Sequence, residues 1–197
     1  LFEGEGMASH KGRIAVVTGG ASGIGLATVE VLAKQGAVVI AVDRDEAKLA
    51  DLSGRENIHP LLGDVTDTNT WDKIVSYAKS DLSGVPTLFV SNAAIVTVGS
   101  ILELTDEDWH QVLSVNLMGS VYGTRALLPG MIEVGGGSIV LMGSIDAHMA
   151  EQGLAAYCAS KGAILQLSKV LAMDHARQGV RVNCVCPGVT DTPLFRY

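Results

Sequence analysis

The sequence predicts an α/β protein with one doubly wound sheet of parallel strands and helices on both faces. Two observations predict it. Short β-branched segments alternate with longer helical patterns from residue 13 to residue 185, the order that builds right-handed β-α-β crossovers. Several of those segments are apolar throughout rather than at every second position, as strands buried on both faces of a parallel sheet must be. A length of 197 residues fits a single domain, and suffices to bury a core without disulfide or metal.

Residues 13–18 (RIAVVT) form the first strand. Residues 23–35 (GIGLATVEVLAKQ) form a helix with Ile24, Ala27, Val31 and Leu32 on one face. Residues 37–42 (AVVIAV) are the second strand, 46–52 a short helix, 58–62 a third strand and 69–82 a helix. Residues 87–91 (TLFVS) make the fourth strand. Thr105 opens a long helix over 105–128: it makes a capping-box-like pair with Asp108, and acidic residues fill the first turn. That helix is expected to kink or stop near Pro129-Gly130, because proline has no N–H to donate. Residues 138–142 (SIVLM) are the fifth strand, 155–177 a helix and 180–185 (VRVNCV) the sixth strand.

Composition excludes several functions. An apolar share of 48% rules out a disordered chain. A net charge of −7 argues against general binding to nucleic acid, which needs a basic face. No apolar run is long enough to span a membrane. The three cysteines, Cys158, Cys184 and Cys186, make no disulfide framework and no metal motif. They read as buried thiols and suit a reducing compartment, hence a cytoplasmic location. Residues 1–6 (LFEGEG) precede Met7 and lack the features of a signal peptide. Residues 1–11 therefore read as an N-terminal extension or an expression remnant, and residues 12–197 as one domain.

The first strand runs into Thr18-Gly19-Gly20-Ala21-Ser22-Gly23-Ile24-Gly25. Gly19, Gly23 and Gly25 form G-x-x-x-G-x-G, a variant of the dinucleotide fingerprint: one glycine permits the tight turn, one admits a pyrophosphate, one lets the helix pack on the strand. The helix N-terminus, at Ser22 to Gly25, offers N–H groups and a positive dipole end to the phosphates. Asp43 closes the second strand, where a carboxylate accepts from both adenosine ribose hydroxyls and repels a 2′-phosphate. NAD is therefore favoured over NADP, with Arg44 the residue that would argue for NADP. Asp64-Val65 follows the third strand, either beside the adenine or as a plain turn.

Tyr157 and Lys161 stand four apart on one helix face. Ser144 closes the fifth strand at the carboxyl end of the sheet, where such sheets bind ligands. Tyrosine is a poor base at neutral pH. A lysine cation beside it, and the positive charge of an oxidised nicotinamide, favour the phenolate. Ser144 is then expected to hold the substrate oxygen.

With these motifs in this order, the chain resembles the short-chain dehydrogenase/reductase family over residues 12–192. TGGASGIG is similar to its cofactor motif. Asn92-Ala93-Ala94 resembles its N-A-G motif, with alanine in place of the glycine. Asn116 (SVNLMG) matches its helix asparagine, Ser144, Tyr157 and Lys161 its catalytic set, and Pro187-Gly188 with Thr192 its P-G motif. The resemblance implies a Rossmann fold and a hydride exchange between a nicotinamide and a secondary alcohol or its ketone. Tyr157 would exchange the substrate proton, Lys161 lower the Tyr157 pKa and bind the nicotinamide ribose, Ser144 orient the oxygen, and Asn116 support a water-linked relay from Lys161. Asn92 would stabilise the turn beneath the cofactor, and Val189 backbone and the Thr192 side chain would hold the carboxamide. Family members generally run longer: a substrate lid, a following helix and a seventh strand have no counterpart before Tyr197. Either further residues exist, or the chain is shortened and its activity weak or lost.

The expected substrate pocket comprises Ile95, Val96, Ile145, Asp146, His148, Gln152, Leu154 and Val189. Its mixed lining suits a small cyclic alcohol, diol or sugar, or a 3-oxoacyl thioester. Asp146 and His148 are either contacts for a polar substrate group or solvated loop residues. Two alternatives stand beside the alcohol dehydrogenase: a relative of 3-oxoacyl-carrier-protein reductases, and a nucleotide-binding protein without turnover. The helices 105–128 and 155–177 carry apolar residues outside a single stripe, Val112, Val115, Met118 and Val121 on one and Ile164, Leu167, Val170, Leu171 and Met173 on the other. A second burial partner is expected there, giving a homo-oligomer, a tetramer with a dimer as fallback; the resemblance implies pairing through these same helices.

Overall fold

The computed structural model describes residues 9–195. Residues 1–8, which fall in the expected N-terminal extension, and residues 196–197 lie outside the described residues. Six strands form one sheet: β1 (Ile14–Thr18), β2 (Val38–Asp43), β3 (Ile58–Leu62), β4 (Pro86–Ser91), β5 (Gly137–Met142) and β6 (Val180–Val185). Their spatial order is β3-β2-β1-β4-β5-β6 and every pairing is parallel. The chain builds outward from β1 to β3, then returns to place β4 on the other side of β1. The carboxyl ends of β1 and β4 thus flank the switch point where open parallel sheets bind ligands.

The pleat divides β1 between two cores. Ile14 and Val16 join Trp71, Ile74, Phe89, Leu127, Met131 and Ile164 on one face. Ala15 and Val17 join Val29, Ala33, Leu49 and Leu52 on the other. On the first face lie α3 (Thr68–Ser80), α5 (Gly119–Glu133) and α6 (Ala155–His175); on the second lie α1 (Gly23–Lys34) and α2 (Glu46–Ala50). Trp71 and Phe89 meet edge to face, with centroids 5.7 Å apart, a geometry worth about 0.5–1.5 kcal/mol beyond the area they bury. Gly123 lets α5 lie against this pair: a Cβ there would stand 2.4 Å from the Trp71 ring.

The expected helix over 105–128 takes a different form. Thr105 does cap it: its Oγ1 accepts from the Asp108 N–H and its own N–H donates to Asp108 Oδ2. The segment then divides into α4 (Asp106–Leu113), a π turn at Ser114–Met118 and α5. It also passes the expected stop at Pro129 and ends at Glu133. Pro129 removes one N–H from the helix ladder without ending the helix. Leu127 and Met131, 1% and 0% exposed, hold the chain helical on either side of it. The other elements fall within two residues of their expected bounds. Among the described residues no helix is long and apolar enough to cross a membrane.

Candidate active site

The turn after β1 is built from hydrogen bonds to one threonine. Thr18 Oγ1, 1% exposed, accepts from the N–H groups of Asn92 (3.0 Å) and Ala93 (3.1 Å). Asn92 Nδ2 returns bonds to the carbonyls of Thr18 (3.0 Å) and Gly19 (3.3 Å). The ends of β1 and β4 are therefore tied together at the floor of the crevice. Gly19 has φ +62°, which favours glycine. Gly25 admits no side chain, since a Cβ would lie 1.9 Å from the Gly19 carbonyl oxygen. Ser22, at the N-cap of α1, makes no side-chain cap bond, and the first turn holds no carboxylate. The N–H groups at the start of α1 thus meet no carboxylate of their own helix turn, a setting that favours a phosphate.

At the end of β2, Asp43 Oδ2 accepts from the Ala21 N–H and Oδ1 from the Asp45 N–H, both at 3.1 Å. These bonds fix the carboxylate at the mouth of a cavity lined by Gly19, Ser22, Arg44, Asp64, Val65, Ala93, Ala94 and Ile95. Asp64 lines this cavity while its Oδ1 accepts from the N–H and Oγ1 of Thr66; it serves the turn as well. Val65 is buried, and its carbonyl accepts from Trp71 Nε1.

A second cavity, which shares Ala94 with the first, gathers Ser144, Tyr157 and Lys161 with Ile24, Asn92, Pro187, Gly188 and Thr192. A groove along Gly23, Ile24, Asn92, Ala93, Ala94 and Thr192 joins the two into a trough. Lys161 is 3% exposed and its Nζ donates to the Met142 carbonyl at 2.8 Å. That Nζ lies 5.6 Å from the centre of the Tyr157 ring. Burial lowers the Lys161 pKa to about 8, against a smaller opposing influence of Cys184 and Cys186. Ser144 is 6% exposed, and its Oγ donates to Asp146 Oδ2 at 2.8 Å.

Asn116 sits in the π turn beneath this cavity, 2% exposed. Its Oδ1 accepts from the Ile95 N–H (2.8 Å), and its Nδ2 donates to the Ile95 carbonyl (3.0 Å) and to Ser160 Oγ (3.0 Å). Ser160 Oγ in turn donates to the Tyr157 carbonyl. Asn116 therefore spends its amide on positioning: it joins the irregular segment after β4 to the helix that carries Tyr157 and Lys161.

The structure thus brings Ser144, Tyr157, Lys161, Asn92, Ala94, Pro187, Gly188 and Thr192 to one cavity and Asp43, Asp64, Val65, Gly19 and Ser22 to its neighbour. Val189 is 83% exposed and lines neither. The expected substrate pocket is only partly formed. Asp146 is neither solvated nor free for a substrate: it is 6% exposed and engaged by Ser144. Leu154 is buried, while His148 and Gln152 face solvent. Of these eight residues, only Ile95 lines the trough. The thiols are half-buried rather than fully buried. Thr18 and the Met142 carbonyl escaped the sequence reading. Thr18 had one local signal, a hydroxyl at the last strand position before the glycine turn; a backbone carbonyl has none.

The family model described as short chain dehydrogenase matches residues 13–197. The chain is 38% identical over 191 residues to an NADP-dependent (R)-specific alcohol dehydrogenase of Lentilactobacillus kefiri, spanning 93% of this chain and 75% of that one. It is 35% identical over 191 residues to dehydrogenase/reductase SDR family member 6 of Rattus norvegicus, spanning 96% and 76%. A crystal structure of 3-ketoacyl-(acyl-carrier-protein) reductase from Brucella melitensis, complexed with NADH, superposes with a TM-score of 0.89 at 29% identity, over 93% of this chain and 78% of that one. The fold and the trough define an oxidoreductase of the Rossmann type. The chain belongs to the short-chain dehydrogenase/reductase family.

Proposed function

We propose that residues 12–197 act as one domain that binds NAD(H) and interconverts a secondary alcohol and its ketone. The observation that carries this reading is the placement of Ser144, Tyr157 and Lys161 in one cavity that adjoins the Asp43 cavity. The glycine turn supports a dinucleotide site: Gly19 and Gly25 let β1, the turn and α1 pack too closely for any side chain, and the first turn of α1 carries no carboxylate to repel a phosphate. When bound, the nicotinamide supplies the hydride chemistry.

The residues around it would divide the remaining work. Asp43 accepts from the adenosine ribose, and Ser22, Gly23 and Ile24 hold the pyrophosphate. Lys161, with donors beyond the one given to Met142, reaches the other ribose. Pro187, Gly188, Val189 and Thr192 hold the carboxamide. Tyr157 passes the substrate proton at its Oη, and the buried Lys161 cation favours the phenolate form. Ser144 Oγ positions the substrate oxygen. The Asn116 amide is engaged by Ile95 and Ser160 and its carbonyl accepts from Ser120 Oγ, so its support of a relay from Lys161 would rest on the second lone pair of that carbonyl.

NADP is the competing cofactor, since the Lentilactobacillus kefiri relative is NADP-dependent by name; Asp43 at the ribose end supports NAD. Reduction of a 3-oxoacyl thioester is the second substrate reading, supported by the fold match to a 3-ketoacyl-(acyl-carrier-protein) reductase. A cytoplasmic setting suits three free thiols. A homo-oligomer, tetramer or dimer, is supported by Val170 and Met173, 52% and 80% exposed on α6. The decisive experiment follows NADH absorbance with a panel of secondary alcohols, ketones and 3-oxoacyl thioesters. Turnover on an alcohol–ketone pair supports the proposal, turnover on thioesters alone replaces it with the second reading, and binding without turnover on any of them overturns both.

A further inference from the structure

Behind the catalytic cavity the structure holds a pair of sulfur atoms that the proposed reaction does not use. Cys184 lies near the end of β6 and Cys186 one residue beyond it, and their Sγ atoms stand 3.7 Å apart. Both press on Gly143: at the place of its absent Cβ, the Cys186 and Cys184 sulfurs would be 2.7 and 2.8 Å away. Gly143 is thus the residue that makes room for the pair. It stands between Met142, whose carbonyl holds Lys161, and Ser144. Both thiols are close enough for their charge to bear on Lys161. Both are half-buried free thiols.

We infer that Cys184 and Cys186 form a redox modification site, a vicinal dithiol that a hydroperoxide closes to a disulfide and so disables the adjoining nicotinamide end of the trough. The covalent step stands on the sulfur geometry alone; its effect on the cofactor rests on the function proposed above.

The chemistry balances with hydrogen peroxide as oxidant. The Cys186 thiolate attacks one peroxide oxygen; an S–O bond forms, the O–O bond breaks, and hydroxide leaves as water after taking a proton. Cys186 is then a sulfenic acid. Cys184 sulfur attacks it; the S–S bond forms, the S–O bond breaks, and the Cys184 proton leaves with the hydroxyl as a second water. Two thiols lose two electrons and one peroxide gains them. Burial, with the Cys186 sulfur beside it, pushes the Cys184 thiol up to about 11, which suits Cys184 to the resolving step because the thiolate is the nucleophile of the first; the pair closes to the same disulfide whichever sulfur attacks first.

Closure must draw the two sulfurs together from 3.7 Å. A disulfide needs sulfurs about 2.05 Å apart and Cα atoms at most about 6.8 Å apart. Two residues of extended strand span about 6.6 Å, inside that limit but longer than the common disulfide span of about 5.5–6 Å, so closure favours a shorter end of β6. Cys186 leads directly into Pro187-Gly188, which line the catalytic cavity. The Pro187 carbonyl accepts from the Ile145 N–H at 2.9 Å, and the Val185 carbonyl from the Gly143 N–H at 2.8 Å. Drawing Cys186 back pulls on both bonds and on the wall they fix. Such a strained disulfide is readily reduced, as a reversible device requires.

The test treats the reduced chain with hydrogen peroxide and reads intact mass, fragment masses and NADH binding by fluorescence. The expected result is the loss of two hydrogens within the single fragment that carries Cys184 and Cys186. NADH affinity should fall at least tenfold, and dithiothreitol should restore both mass and affinity. Cys186→Ser and Cys184→Ser should keep NADH affinity after peroxide, and Cys158→Ser should lose it as the parent does. Oxygen addition without loss of hydrogens, a disulfide through Cys158, or a closed pair with unchanged NADH affinity would each overturn the inference. If the reduced chain binds no NADH, the cofactor reading fails while the masses still decide whether the pair closes.

Discussion

Ser144 gives its hydroxyl proton to Asp146. Its Oγ lies 2.8 Å from Asp146 Oδ2, and the Asp146 N–H donates back to the same oxygen at 3.2 Å. A hydroxyl has one proton and two lone pairs, so this pairing fixes the Ser144 side chain and leaves its Oγ one further lone pair. Asp146→Ala is expected to lower stability by about 1.5–3 kcal/mol, the range for a hydrogen bond to a charged group. Asp146→Asn, which keeps an acceptor, should lose less. Urea unfolding of the two variants checks this, and equal stability of Asp146→Ala and the parent would refute it.

Tyr157→Phe keeps the ring and deletes the proton carrier. Turnover is expected to fall by about 10²–10⁴-fold, the usual range for a general acid–base group, with NADH binding nearly unchanged. Lys161→Ala should lose turnover and weaken NADH binding as well. Steady-state rates and a fluorescence titration on both variants separate the two roles; an intact rate in Tyr157→Phe removes that residue from the mechanism.

Asp43 sets the expected preference for NADH over NADPH. A tenfold difference in dissociation constant corresponds to about 1.4 kcal/mol. Asp43→Ser should narrow the gap by removing the charge that faces a 2′-phosphate. Paired titrations with both cofactors check it, and tighter NADPH binding by the parent would pass the deciding role to Arg44.

Lys161 gives the fold a pH signature. Burial lowers its pKa to about 8 from 10.5. Below pH 8 both folded and unfolded chains carry the charge, and the fold bears its full desolvation cost. Between pH 8 and 10.5 the folded chain has released a proton that the unfolded chain retains, so stability from this group rises with pH. Relative to Lys161→Met, the cofactor-free parent should gain up to about 3 kcal/mol from pH 7 to pH 10.5, since each pKa unit is about 1.4 kcal/mol. Unfolding curves across that window should show the gain, and a constant difference would mean that Lys161 does not titrate there.

The sheet was legible in the sequence because its strands are buried on both sides: AVVIAV and IVLM admit few other structures. The glycine turn and the Tyr157–Lys161 pair were legible because their geometry is local, fixed by spacing along one turn and one helix. What escaped depends on partners far along the chain. The π turn exists where Asn116 takes the backbone of Ile95, 21 residues away. The passage of α5 through Pro129 depends on Met131 and Leu127 being held in the core. Asp146 reads either as a substrate contact or as a solvated loop carboxylate, and only the fold that buries Ser144 shows that it is buried too.

The π turn also works as an insertion that the architecture has absorbed. One extra residue turns everything after it by about 100°, since an α-helix advances 3.6 residues per turn. Upstream of it, α4 packs against α6; downstream, α5 packs against β4 and α3. A shorter segment that ran as one regular helix could satisfy only one of those neighbours. With a single residue deleted at 114–118, Gly123 would swing off the Trp71–Phe89 pair, and a residue with a side chain would take its place. The count of residues between Thr105 and Gly123 is therefore more constrained than the identity of most of them, and this helix, though it looks like ordinary scaffold, should accept substitutions far more readily than changes in length.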